Sequence, residues 1–180
     1  MSEQSFSYHQ MSTLGEALRI AEEVTSDYFK FSSGQWGRHP YDVRLRKTWQ
    51  HLPVPCNVFA MLDKVNRAGE ILCPRAKGKD FYLILLQDER ILSAVCRDER
   101  LKLLPLMVYI FTHELIHIVR FGNFVQRFEL GQEAKEEEET KVHELTYDIL
   151  RQVPVKDLGY VLESYEGHRT CELGLTVLNN

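Results

Sequence analysis

The sequence predicts an α+β fold, a small sheet packed on a core of helices. Three observations carry this. Phe81-Tyr82-Leu83-Ile84-Leu85-Leu86 is a compact apolar run of strand length. Residues 98–121 form a longer, almost continuously apolar stretch of helical length. Residues 132–153 place Val142, Leu145, Ile149 and Val153 at helical spacing. At 180 residues the chain is long enough for one domain with its own core, and a single domain over 1–180 is expected.

Residues 12–30 read as a helix, with Leu14, Leu18, Ala21, Val24 and Tyr28 on one side and Ser12 or Thr13 as its cap. Gly34, Gly37, Pro40, Pro53 and Pro55 make residues 31–57 mostly loop, with one short element around 42–51. Residues 57–66 fit a helix or a strand equally well. The 81–86 strand is bounded by Lys79-Asp80 and Gln87-Asp88-Glu89, and residues 90–96 are expected to be its neighbour. The long helix is expected over 98–121, with Pro105 as an alternative start and Gly122-Asn123 as its stop. The last helix runs to Pro154, and residues 155–180, with Gly159, Gly167 and Gly174, read as loop.

Composition narrows the function. Hydrophobic residues at 44 % and charged residues at 27 % are ordinary for a soluble globular protein. A net charge of −4 argues against non-specific nucleic-acid binding, which needs a basic surface. The four cysteines, Cys56, Cys73, Cys96 and Cys171, form no CxxC pair, which argues against a zinc finger or redox dithiol. Residues 1–13 show no apolar signal segment, so reduced thiols and a cytoplasmic location are expected. The apolar residues 103–112 are too few to span a bilayer before polar residues interrupt them, so no membrane partner is expected.

Residues 113–117 read His-Glu-Leu-Ile-His. Positions four apart on a helix lie one above the other. His113 and His117 can therefore point two imidazoles at one ion, with Glu114 one step round as a general base. This HExxH spacing fits a zinc hydrolase. The bland alternative is two polar residues on a core helix, each of which would need a buried partner.

A catalytic zinc needs three protein ligands. The next helix opens with Glu136-Glu137-Glu138-Glu139 and then carries His143. Acidic residues at a helix N-terminus ordinarily favour the macrodipole and stay solvated. At about 100° per residue, Glu138 and Glu139 straddle the apolar stripe, Glu137 points away, and Glu136 and His143 lie at its edge.

Over residues 81–154 the pattern resembles the gluzincin branch of the zincin metallopeptidases, which includes thermolysin-like and ImmA/IrrE-like enzymes. In those families a glutamate ligand on a second helix follows HExxH. A polar residue comes four positions later, a small one at seven, and aliphatics at ten and eleven. Placed on Glu139, the pattern falls on His143, Thr146, Ile149 and Leu150; placed on Glu138, it puts Val142 at four. The resemblance therefore implies Zn2+ on His113, His117 and Glu139. His143 stands where an acid or amide is expected, either hydrogen-bonded to a ligand or as a ligand itself, with or instead of Glu139. Ile116 stands where several of these families have Gly, which narrows the approach to the metal.

The implied activity is hydrolysis of a peptide or protein substrate. Zinc would activate a water, and Glu114 would take its proton. As an edge strand above the site, residues 81–86 would pair with an extended peptide. Arg120, Tyr160 and His168 are candidates to stabilise an oxyanion, with packing roles as the plainer reading. Cys171 could block the metal in a latent enzyme, although a lone Cys is usually a small buried hydrophobe. The alternative function is an inactive zincin-like protein that binds metal as a regulator or interaction module.

Overall fold

The computed structural model describes residues 5–32, 34–49, 58–65, 81–122 and 132–165. Within these residues the fold is α+β, with five α-helices and a three-stranded mixed sheet packed together.

Helix α1 spans Tyr8–Phe29, four residues longer at its start than the sequence suggested. The cap is Ser7 rather than Ser12 or Thr13. Its side chain accepts from the Gln10 amide at 3.3 Å, and its own amide donates to the Gln10 side chain at 2.8 Å. This is a capping box, which satisfies two otherwise orphaned groups. Lys30, in the left-handed region at φ 57°, ends the helix. The buried face runs through Leu14, Ala17, Ala21 and Thr25. Small residues at 17 and 21 let α1 lie close along the central helix.

Strands β1 (Tyr41–Arg44), β2 (Ala60–Val65) and β3 (Phe81–Leu86) form the sheet in the order β1-β3-β2. β1 is parallel to β3, with Tyr41 opposite Tyr82 and Arg44 opposite Leu85. β2 is antiparallel, with Ala60 opposite Leu86 and Val65 opposite Phe81. The ambiguous segment 57–66 thus resolves as a strand. β3 is the central strand, not an edge, so both of its hydrogen-bonding sides are already used and it cannot take up an extended peptide. Its side chains alternate, as strand geometry requires. Tyr82, Ile84 and Leu86 enter the main core, while Leu83 and Leu85 join Trp49, Val58 and Met61 on the other face.

Residues 90–96 do not form a neighbouring strand. They belong to helix α2, Asp88–Arg97. Asp88 and Glu89 sit in its first turn, where negative charge is favoured. Ile91 and Ala94 are buried, one helical turn apart. Asp88 also takes hydrogen bonds from the Arg46 amide at 3.1 Å and the Ser5 hydroxyl at 3.3 Å, which ties the β3–α2 corner to the N-terminal segment.

Helix α3 spans Leu103–Gly122 and is buried continuously from Pro105 to Val119. Residues 98–102 stay outside it. Pro105 cannot donate a backbone hydrogen bond and its ring would clash with the carbonyl four residues earlier, so the proline tolerates only a first turn. By length and composition α3 could cross a membrane, but 83 % of its most apolar 18-residue window is buried inside the fold. Helices α4 (Gln132–Leu150) and α5 (Leu158–Tyr165) also rest on it, as do α1, α2 and β2. Pro154 disfavours helix at residue 153, and the chain turns off after Leu150. α5 lies within the stretch read as loop. Its buried Leu158, Val161 and Leu162 have helical spacing that eight residues barely reveal. Residues 166–180 lie outside the described residues.

Gly122 closes α3 against His39. A Cβ there would lie 2.1 Å from His39 Nδ1 and 2.6 Å from its Cε1. His39 is buried and stacked on Phe31, with ring centroids 5.6 Å apart, so it has little room to retreat. Gly122→Ala is expected to destabilise the protein by about 1–3 kcal/mol in urea denaturation, the usual cost of overpacking.

Candidate metal centre

The HELIH run lies in the middle of α3, the most deeply buried helix of the fold. His113 and His117 are each 1 % exposed and Glu114 is 2 % exposed. Three ionisable side chains have therefore been placed in the core, where each charge costs several kcal/mol unless it is paired. Their partners come from α4.

Glu138 (1 % exposed) and Glu139 (8 %) are buried and Glu137 is exposed, as the helical angle predicts, while of the two residues at the edge of the stripe Glu136 is exposed and His143 buried. Glu139 bridges the two imidazoles. Its Oε2 lies 3.3 Å from His113 Nε2 and its Oε1 lies 3.3 Å from His117 Nε2. The two Nε2 atoms are 3.1 Å apart. Donors bound to one tetrahedral zinc at 2.0–2.1 Å are separated by about 3.3 Å. The two imidazole nitrogens, and each nitrogen with the Glu139 oxygen nearest to it, are separated by about that distance.

His143, also 8 % exposed, completes the neighbourhood. His113, Glu139 and His143 offer one donor atom each within 4.8 Å of one another, a buried His/His/Glu group that could hold a metal ion. The Tyr109 hydroxyl hydrogen-bonds His143 Nδ1 at 3.0 Å.

Electrostatics knit these groups together. Burial opposes charge on Glu139, but His117 and His113 outweigh it and hold the carboxyl well below the usual carboxylate range. Burial likewise opposes charge on His117, yet Glu139 and Glu138 lift it to about 9. Burial lowers His113, and the charge on His117 adds to that effect, against the pull of Glu139. Burial raises Glu114 to about 8, with His117 opposing and Glu139 adding. Imidazole ligates a metal only when neutral, so binding of a divalent ion by these histidines would release protons.

The structure gives Glu138 a different task from Glu139. It takes Arg120 Nε on Oε1 at 2.6 Å and Nη2 on Oε2 at 2.7 Å. Oε1 also faces His117 Nδ1 at 3.8 Å. Arg120 is thereby committed to Glu138, and the candidate oxyanion role for it lapses. Tyr160 donates its hydroxyl to Asp98 Oδ2 and lies under Arg100, which makes it a packing residue of α5. Ile116 is fully buried. His168 and Cys171 lie outside the described residues. Sequence reasoning did not find Tyr109 or the Arg120–Glu138 pair. Tyr109 stands four residues before His113 and could have been placed on the same face. The Arg120–Glu138 contact depends on how α3 and α4 meet and has no local signal.

No protein family, curated protein or solved structure matches the chain, so any functional reading rests on this geometry.

Partners on the far ring nitrogen orient metal-binding histidines. Glu138→Gln is expected to weaken zinc binding about 10–100-fold in competition with a chromophoric chelator, with the circular dichroism unchanged. An unchanged affinity would separate Glu138 from the site.

Proposed function

We propose that this protein is a zinc-dependent peptidase of the gluzincin type. His113, His117 and Glu139 hold the ion, and Glu114 acts as general base. One observation supports this most directly: the two imidazole Nε2 atoms lie 3.1 Å apart, and each is 3.3 Å from one oxygen of the Glu139 carboxylate. Two imidazoles and one carboxylate are a donor set suited to zinc. Bound there, zinc would supply Lewis acidity, polarising a carbonyl and making a water acidic near neutral pH.

Glu114 follows His113 in the chain and lies on the neighbouring side of the same turn. Burial raises its proton affinity far above that of an exposed glutamate. A carboxyl tuned upward in this way can take a proton from water and pass it to the leaving nitrogen of a cleaved amide. Glu139, held ionised, would offset the charge of the ion, while Glu138, hydrogen-bonded to Arg120, adds negative charge 3.8 Å from His117 Nδ1. Residues 81–86 cannot take up an extended peptide as an added strand, because β3 is paired on both sides. The expected substrate is a peptide or protein of the cytoplasm.

A second reading is favoured by a specific observation. His113, Glu114 and His117 are almost wholly buried. That suits a metal-binding regulatory or interaction protein without turnover.

Elemental analysis should find close to one zinc per wild-type chain and none in His113→Ala or Glu139→Ala. Glu114→Gln should keep the zinc and lose hydrolysis of a peptide pool by about 10²–10⁴-fold, the usual worth of a general base. Full activity in Glu114→Gln would sink the mechanism. Zinc retention without turnover in the wild type would select the regulatory reading.

A further inference from the structure

Strand β1 lies at one edge of the sheet, away from the metal centre's two helices in sequence and in role. The backbone groups of successive strand residues point to opposite edges. The Tyr82 amide donates to the Pro40 carbonyl, so Pro40, Asp42 and Arg44 face β3. Tyr41, Val43 and Leu45 therefore turn their backbone groups outward, where no strand among the described residues meets them. Their side chains pack against the main core. Asp42 and Arg44 lie on the other face of the sheet, beside Leu83 and Leu85.

An open strand edge is a template for another chain, and charged side chains commonly guard it. Here the guard is local. Asp42 Oδ1 accepts the Val43 amide at 2.9 Å, and Asp42 Oδ2 pairs with Arg44 Nη2 at 2.8 Å. Both side chains reach water, Asp42 at 47 % and Arg44 at 39 % exposed. The Leu45 carbonyl accepts the Thr48 amide at 2.9 Å in the turn that follows, which limits the edge to a few residues.

Asp42-Val43-Arg44 is complementary to its own reverse. Laid antiparallel about a two-fold axis at Val43, two copies place Asp42 of each opposite Arg44 of the other. Val43 can then exchange both backbone bonds with its equivalent, because both groups point outward. The Asp42–Arg44 pairs fall at the flanking non-hydrogen-bonded positions, where opposed side chains come closest. Opposite charges so placed stabilise the pairing, and like charges oppose it.

We infer that β1 is a self-association edge whose partner is a second copy of this chain, paired antiparallel through Val43. In the single chain Asp42 closes the edge. In the pair it gives up the Val43 amide of its own strand and turns to Arg44 of the second copy, and the two sheets join into one. The same carboxylate serves both states and the edge is short, so association is weak and depends on concentration.

Sedimentation equilibrium of the full chain tests this from about 10 μM to about 1 mM, the range in which small interfaces dissociate. The wild type should pass from single chains to pairs within it. Asp42→Arg and Arg44→Asp each set like charges opposite one another, and each should raise the dissociation constant at least about tenfold. Mixed in equal amounts, the two variants again place acid opposite base at both positions and should associate at least as tightly as the wild type. A wild type that stays single throughout would overturn the inference. So would single variants that associate as the wild type does, or a mixture that stays apart. Circular dichroism checks that each variant folds. If one does not, Val43→Pro replaces the pair: it removes the outward amide without touching a bond to β3, as an edge strand allows. Association of Val43→Pro equal to that of the wild type would overturn the inference, and its loss would support it.

Discussion

The physical constraint on which the rest depends is the burial of His113, Glu114 and His117 in an otherwise apolar helix. α3 is the core of the fold, and nearly every element rests on it. A helix so placed cannot turn its polar residues to water. Their desolvation has to be offset inside the protein, by opposite charge or by an ion. α4 supplies that compensation, which explains why a helix with so many exposed acidic residues brings two of them, Glu138 and Glu139, into the interior. The division between these adjacent glutamates follows from geometry. Successive residues lie about 100° apart on a helix. Glu139 therefore reaches the Nε2 side of the imidazoles, and Glu138 reaches Arg120 and the Nδ1 side of His117.

The remaining elements fix α3 so that this meeting is reproducible. α1 lies along it through small side chains, and Tyr82, Ile84 and Leu86 of the sheet join the same apolar cluster. Gly122 admits His39 against the end of α3. α5 contributes Tyr165, whose ring stacks on Tyr109 at 5.7 Å and so supports the tyrosine that holds His143. A site built on two packed helices and backed by a second layer of contacts holds its donors more closely than a loop could.

Much of this was legible in the sequence, and the failures have definite causes. The HELIH spacing, the inward face of α4 and the burial of Glu138 and Glu139 follow from helical periodicity, a local property. The position of β3 does not. Its parallel partner lies some forty residues upstream, and no feature of the 81–86 run distinguishes a central strand from an edge. α2 was misread because residues 90–96 are too short for period alone to separate helix from strand, and the acidic first turn at Asp88 and Glu89 was the signal to weigh. The early start of α1 was readable in Ser7 and Gln10, an S-x-x-Q capping box. Arg120 was beyond reach, because its partner is fixed by the distance between two helices rather than by spacing along one.

The Arg120–Glu138 pair has one more consequence. Its two hydrogen bonds, at 2.6 and 2.7 Å, join α3 to α4 without involving any proposed zinc ligand. A buried pair of this kind fixes geometry more than it adds stability. It ties α4 to α3 through protein groups alone. Zinc-finger domains fold around their metal and collapse without it. Here the ion would be a guest in a finished room, free to enter and leave while the walls stand.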